Sequence, residues 1–138
     1  MLAIAVYIAW QQWKVNERKL EFDQYERRLR IYERMVTFLR LVLRDFKPEI
    51  NDLQAFSIDT AEADFLFGPE ISQYLSELYH GAWRLRNATD EYRDFTQRAS
   101  PDYDHNKVVK EITTQEEWFT NQFGVAKEKF KKYLDVSR

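Results

Sequence analysis

Glu77-Leu-Tyr-His80 is the constellation in this chain whose spacing best suits a metal, because residues three apart project from one face of a helix. Helical bundles that hold two metals through carboxylates use this Glu-x-x-His unit twice, with a glutamate from each of two further helices. The second unit is missing here. The other histidine, His105, follows Asp102 and Asp104 in a segment opened by Ser100-Pro101, and it reads as part of a polar turn. Asp102, Asp104 and His105 also lack the regularly alternating oxygen ligands and the turn glycine of a calcium loop. Ser57, Ser72, Ser76, Ser100 and Ser137 stand in no nucleophile motif, and no glycine-rich phosphate loop occurs. The absence of cysteine removes disulfides, thiolate zinc sites and thiol nucleophiles together. Asn87-Ala-Thr89 matches a glycosylation acceptor, but inside a helical pattern and without a secretion signal it reads as coincidence. These residues predict no catalytic site, no metal, no cofactor and no small-molecule substrate.

Arg27, Arg28, Arg30, Arg34, Arg40 and Arg44 go round their helix and alternate with Glu26, Glu33 and Asp45, so they predict a solvated, salt-bridged face and no nucleic-acid partner. The net charge of -2 hides an uneven distribution. Lys14 to Lys47 carries ten basic and six acidic residues, Pro48 to Asn106 four and twelve, and Lys107 to Arg138 seven and five. Basic outer helices packed on an acidic middle is the arrangement this predicts.

The elements that position these residues are helices. Three glycines and three prolines in 138 residues leave little material for the turns of an all-β or βαβ fold, and 16% aromatic content needs a core to enter. The strongest periodicity is Phe22, Tyr25, Leu29, Tyr32, Val36, Leu39, Leu43 and Phe46, spaced alternately three and four apart as in the seam of a packed or coiled helix. Pro48 ends that helix. Two short helical pieces follow, the second opened by a capping box of Asp59 and Glu62. Gly68-Pro69-Glu70 restarts a long helix that runs to about Ala99. The last helix begins either near Asn106 or at the capping box of Thr114 and Glu117, and its end is crowded by Lys127, Lys129, Lys131 and Lys132. The fold class expected is all-α: an elongated antiparallel bundle of three long helices plus short connecting helices, with a long N-terminal helix continuous with a membrane-anchor end.

Residues 1–13 form that end. Met1 to Trp10 holds no charge, yet ten residues of helix span only about 15 Å, half the apolar core of a bilayer. Three placements are open for it: the last half of a transmembrane helix, a short insertion into one leaflet, or a helix end buried in a partner. Tyr7, Trp10 and Trp13 followed by Lys14, Arg18 and Lys19 have the aromatic and basic order of a membrane interface, with the basic side cytoplasmic. Residues 14–138 are then a single cytoplasmic helical domain.

Tyr7-Ile-Ala-Trp-Gln-Gln-Trp-Lys14, Lys19 to Glu33, Phe65-Leu-Phe-Gly-Pro-Glu-Ile71, Glu117-Trp-Phe-Thr-Asn-Gln-Phe123 and Phe130-Lys-Lys-Tyr-Leu134 resemble a widespread group of uncharacterised small bacterial proteins with one N-terminal transmembrane helix and a cytoplasmic helical domain. Members of that group have a fuller apolar run before the Tyr-Ile-Ala segment, and this sequence starts within it. The resemblance implies a location at the bacterial inner membrane and no activity, catalytic residue or cofactor. Together with the residues, it leads to the expectation of a non-enzymatic membrane-anchored module. Lipid would be held through the N-terminus. A homo-oligomer or protein partner would be held through the seam at Tyr25, Leu29 and Tyr32. The alternative expectation is a membrane-permeabilising effector of a stress or phage-defence module.

Overall fold

A computed structural model describes residues 2–94 and 97–135. These residues form α1 (Leu2–Asp45), α2 (Ile50–Asp59), α3 (Ala63–Leu66), α4 (Pro69–Glu91), α5 (His105–Thr120) and α6 (Gln122–Leu134). The protein is an all-α bundle in which α1 packs against α2, α3, α5 and α6, while α4 packs against α2, α3 and α5.

At 44 residues α1 is about 66 Å long, and only its second half belongs to the bundle. Ile31, Met35, Phe38, Leu39 and Val42 are buried there, with Phe38 stacked on Phe56 of α2 at 4.1 Å and Tyr32 tilted on Phe130 of α6 at 5.3 Å. The seam read from the sequence is therefore used inside the chain from Tyr32 onward: Leu39 is buried, and Tyr32, Val36, Leu43 and Phe46 pack on the core. Tyr25 and Leu29 are half-buried, and Phe22 is exposed.

The expected membrane-anchor end is corrected by the structure. α1 runs without a break through Trp13 and Lys14, but no helix among the described residues is long and apolar enough to cross a membrane. The physical reason is the brevity of the apolar run, since Lys14, Glu17, Arg18 and Lys19 fall where a span would need its next apolar turns. The expected location at an inner membrane and the lipid partner at the N-terminus lose their basis with the span. So do the anchored module and the permeabilising effector.

α1 stops by a conformation that the sequence conceals. Phe46 takes a left-handed backbone with φ 53° and its amide donates to Val42 O at 2.8 Å, ending the helix two residues before Pro48. Glycine is the usual residue at such a cap; here the packing of the Phe46 ring on the core offsets the strain of about 1 kcal/mol. α2 carries a capping box at Glu49 and Asp52, while the box expected of Asp59 and Glu62 for the second short helix is not formed: α3 starts after Glu62 without a side-chain cap bond.

Two further corrections concern helix ends. α4 ends at Glu91 instead of about Ala99, because Tyr92 turns to an extended conformation and the Tyr103 hydroxyl takes the Arg93 amide at 3.0 Å. α5 starts at His105 with Asp104 as its cap, accepting from the Lys107 amide at 3.2 Å, so Thr114 and Glu117 lie mid-helix. The expected last helix is also broken. Its carbonyl ladder is interrupted at Asn121, where the side chains of Asn121 and Gln122 take the carbonyls of Glu117 and Trp118. The expected three long helices are thus α1, α4 and a kinked pair.

The charge complementarity predicted between segments takes the form of two exposed ion pairs, Lys47 with Asp90 at 3.3 Å and Lys132 with Glu70 at 3.0 Å. At the second, the Tyr133 hydroxyl donates to Glu70 Oε1 and accepts from the Gly68 amide at 3.0 Å, tying α6 to the start of α4. Arg28 of α1 closes the same corner, donating from Nε to Leu66 O at 2.7 Å with its guanidinium over the Tyr133 ring.

Candidate functional site

α4 and α5 are antiparallel neighbours, in contact at Gly81 and again at Tyr92. Gly81 marks the close level. A Cβ there would stand 3.3 Å from both Gln115 and the Trp118 ring and 3.4 Å from Phe119, so only glycine admits α5 without displacing a neighbour. At the far end Tyr92 and His105 bring their rings to 5.5 Å across the connection between the two helices. These two contacts fix the register. Moving up α4 from Gly81 to Glu91 corresponds to moving back along α5 from Trp118 to Lys107, which sets Glu91 beside Lys107 and Asn87 beside Glu111.

Between those levels lies a surface cavity of about 950 Å³. Arg84, Asn87, Ala88 and Glu91 line it from α4 at helical spacing, and Lys107, Val108 and Glu111 line it from α5. Its floor is apolar, with Ala88 and Val108 both buried. Its mouth is built by the connection. There the Tyr103 hydroxyl donates to His105 Nδ1 at 3.0 Å while accepting from the Arg93 amide, and the Arg93 guanidinium lies 4.9 Å from the Tyr103 ring. A hydrogen bond from Ser100, then its backbone and Arg93, hold the Asp102 carboxyl below its usual range.

The charges around this cavity fall into two sets. Asp90 is held by Arg86 at 2.9 Å and by Lys47, Asp102 by Ser100 and Arg93, and Asp104 by its cap. Arg84, Glu91 and Lys107 have no ion pair or side-chain hydrogen bond among the described residues, and Glu111 meets only the Gln115 amide at 3.2 Å. Glu91 and Lys107 sit at one level with opposite charge and leave the space between them open.

A smaller cavity of about 430 Å³ continues past Arg84 toward the apex, lined by Glu77, His80, Gly81, Gln115 and Trp118 among others. It contains the Glu-x-x-His pair. His80 Nδ1 lies 2.7 Å from the Ser76 carbonyl and 3.2 Å from the Ser76 hydroxyl. A ring nitrogen at that distance from a carbonyl is the protonated one, so it cannot also take the Ser76 proton. No group of three or more potential metal-ligating side chains occurs among the described residues.

Beneath this face, burial pushes the Tyr74 hydroxyl up from its ordinary value, with the charge of Glu77 adding to it. Tyr74 donates to the buried Gln122 Oε1 at 2.8 Å, at the break between α5 and α6. Glu70, at the other end of α4, is held down to about 2 by the Tyr133 hydroxyl first and Lys132 second.

The residues expected at a membrane interface lie together on the free half of α1. Tyr7 and Trp10 approach to 6.3 Å, Lys14 Nζ stands 4.1 Å over the Trp10 ring, and Trp13, Arg18 and Lys19 are exposed. None of them reaches the groove. Sequence reasoning gave no role to Arg84, Glu91, Lys107 or Glu111 and noted Asn87 only for a coincidental glycosylation match. The signal present was a polar stripe at i, i+3 and i+7 directly beside the buried stripe of Leu85 and Ala88.

No family model, curated protein or solved structure matches the chain. The resemblance to single-span bacterial proteins is corrected accordingly, since neither a family match nor a span accompanies it. The expected homo-oligomer or protein partner is corrected too: it was to be held through the seam, which the chain's own core uses from Tyr32 onward, and nothing else supports it.

Proposed function

We propose that this chain is a non-catalytic binding domain that takes a small polar ligand in the groove between α4 and α5. The observation that carries the reading is the pair Glu91 and Lys107, level in register and opposite in charge, left apart across a cavity of about 950 Å³. Both line the groove without pairing to each other. The volume is in the range of small-molecule sites, and the apolar floor at Ala88 and Val108 gives a ligand surface to bury.

The groups around the groove are tied into the framework by hydrogen bonds. His80 commits Nδ1 to a backbone carbonyl, and His105 commits Nδ1 to Tyr103. Asp102 and Asp104 are held as cap and loop ties, so the acids near the mouth hold the loop together.

A fragment library of small amines, acids and amides screened by two-dimensional amide NMR tests the reading. The expected outcome is a set of hits that move resonances of residues 84–91 and 103–111 while leaving α1 unmoved. A library that moves none of these, or moves only amides elsewhere, overturns it.

A further inference from the structure

A second cavity, of about 220 Å³, lies between α2, α3 and α4 and shares no lining residue with the groove. Ser72 of α4 lines it, and the Ser72 Oγ is buried without a hydrogen-bond partner among the described residues. A buried hydroxyl left unpaired lowers stability, so in a folded protein it calls for an occupant that pairs with it.

The charge around this cavity has one sign. Asp64 of α3 is the sole charged residue in the lining, and it has no ion pair or side-chain hydrogen bond among the described residues. The whole lining comes from the stretch Pro48 to Trp83, which holds seven acidic residues and no lysine or arginine. Ser57 and Thr60 add the last turn of α2, where the helix dipole contributes partial negative charge. The Thr60 hydroxyl donates to Phe56 O at 2.8 Å, which leaves its oxygen as an acceptor. Phe56, Ala63 and Leu75 are buried and give the cavity an apolar wall.

A primary ammonium answers this set. It brings one positive charge to Asp64 and three donors to the acceptors at Asp64, Ser72 and Thr60. A divalent metal asks for more than one carboxylate, and no group of three or more metal-ligating side chains occurs among the described residues. An anion would meet Asp64 with no base in the lining to offset it. The volume leaves space for a short alkyl chain on the apolar wall, since a cavity of ~150 Å³ already holds a benzene ring.

We propose that the cavity between α2, α3 and α4 binds a small primary alkylammonium, with its ammonium at Asp64 and Ser72 and its alkyl chain against Phe56, Ala63 and Leu75. The site is independent of the groove, and its occupation does not rest on what the groove takes.

The test titrates the full chain at constant ionic strength with n-butylammonium, n-butanol, butyrate and potassium chloride, each followed by amide NMR. Butylammonium is expected to move residues 56–64 and 72–79, leave 84–91 and 103–111 unmoved, and bind about tenfold more tightly than butanol or butyrate. Asp64→Asn is expected to erase the preference for the amine over the alcohol. Asp64 is exposed and unpaired, so that variant keeps the fold, and its amide spectrum verifies it. Ser72→Ala is expected to weaken butylammonium about threefold without lowering the unfolding temperature, which separates a binding role from a structural one.

Butanol binding as tightly as butylammonium would overturn the proposal, because Asp64 would then not be read. Potassium that displaces butylammonium at equal concentration would overturn it in favour of a site for a simple ion. Unmoved resonances at residues 56–64 and 72–79 would remove the site altogether.

Discussion

Tyr133 donates to Glu70 while accepting from the Gly68 amide, so one hydroxyl joins the last helix to the turn that starts α4. Tyr133→Phe leaves the Gly68 amide without its acceptor, a loss of about 1 kcal/mol that urea denaturation at pH 7 would read. The same substitution carries a pH signature. Glu70 is held from its ordinary 4.5 down to about 2, a depressed carboxyl, so its contribution is present above about 4.5 and lost as pH falls through about 2. The stability gap between the native protein and Tyr133→Phe should therefore narrow over that window; a gap constant from pH 6 to pH 2.5 would show that Glu70 takes no part. Gly68→Ala should destabilise although its φ of -70° suits any residue, because the added Cβ would collide with the Glu70 carboxylate and the Tyr133 hydroxyl. Ser72 points the other way. Its Oγ is buried without a hydrogen-bond partner among the described residues, so Ser72→Ala should be neutral or stabilising by up to about 1 kcal/mol in the same denaturation series.

For the elements, Gly81 decides the relation of α4 to α5. Glycine costs a helix interior about 1 kcal/mol relative to alanine, and here that cost permits the contact with Gln115, Trp118 and Phe119. Gly81→Ala gains the propensity and must push those neighbours by a few tenths of an ångström, so its net effect should lie near zero. Gly81→Leu cannot be absorbed that way. It should cost about 1–3 kcal/mol in thermal or urea unfolding and shift the amide resonances of residues 84–91 and 105–115, since prising the apex apart changes the angle that makes the groove. A leucine variant as stable as the native protein with an unchanged spectrum would mean that Gly81 does not set the helix separation.

Across the whole molecule, stability is unevenly spread. From Leu2 to Gln24 no residue of α1 is buried, and this half keeps Leu2, Ile4, Val6, Tyr7, Ile8 and Trp13 each at least half exposed. A lone helical arm of that length is marginal in water, whereas Ile31 to Val42 is fixed by the core. Hydrogen exchange should find amides of residues 5–22 opening orders of magnitude faster than those of residues 31–42. A chain beginning at Asp23 should unfold at a temperature within about 3 °C of the full chain, because little tertiary packing is removed. A large drop would place the arm in the cooperative unit.

Much of this was legible in the residues themselves. The helical class, the turn at Gly68-Pro69, the stop before Pro48 and the packing face of α1 from Tyr32 to Phe46 follow from composition, periodicity and punctuation, because burial against water selects one face of each helix locally. Helix ends were less legible where a distant side chain sets them, as Tyr103 does in taking the Arg93 amide beyond α4. The membrane-anchor reading failed because a charge-free run with aromatic neighbours imitates half of a span, whereas α1 continues through Lys14, Glu17 and Arg18 and no helix among the described residues is long and apolar enough to cross a membrane. The groove belonged wholly to the tertiary structure. Arg84, Glu91 and Lys107 are unexceptional exposed residues one by one, and only the packing of α4 beside α5 brings them to the lining of one cavity.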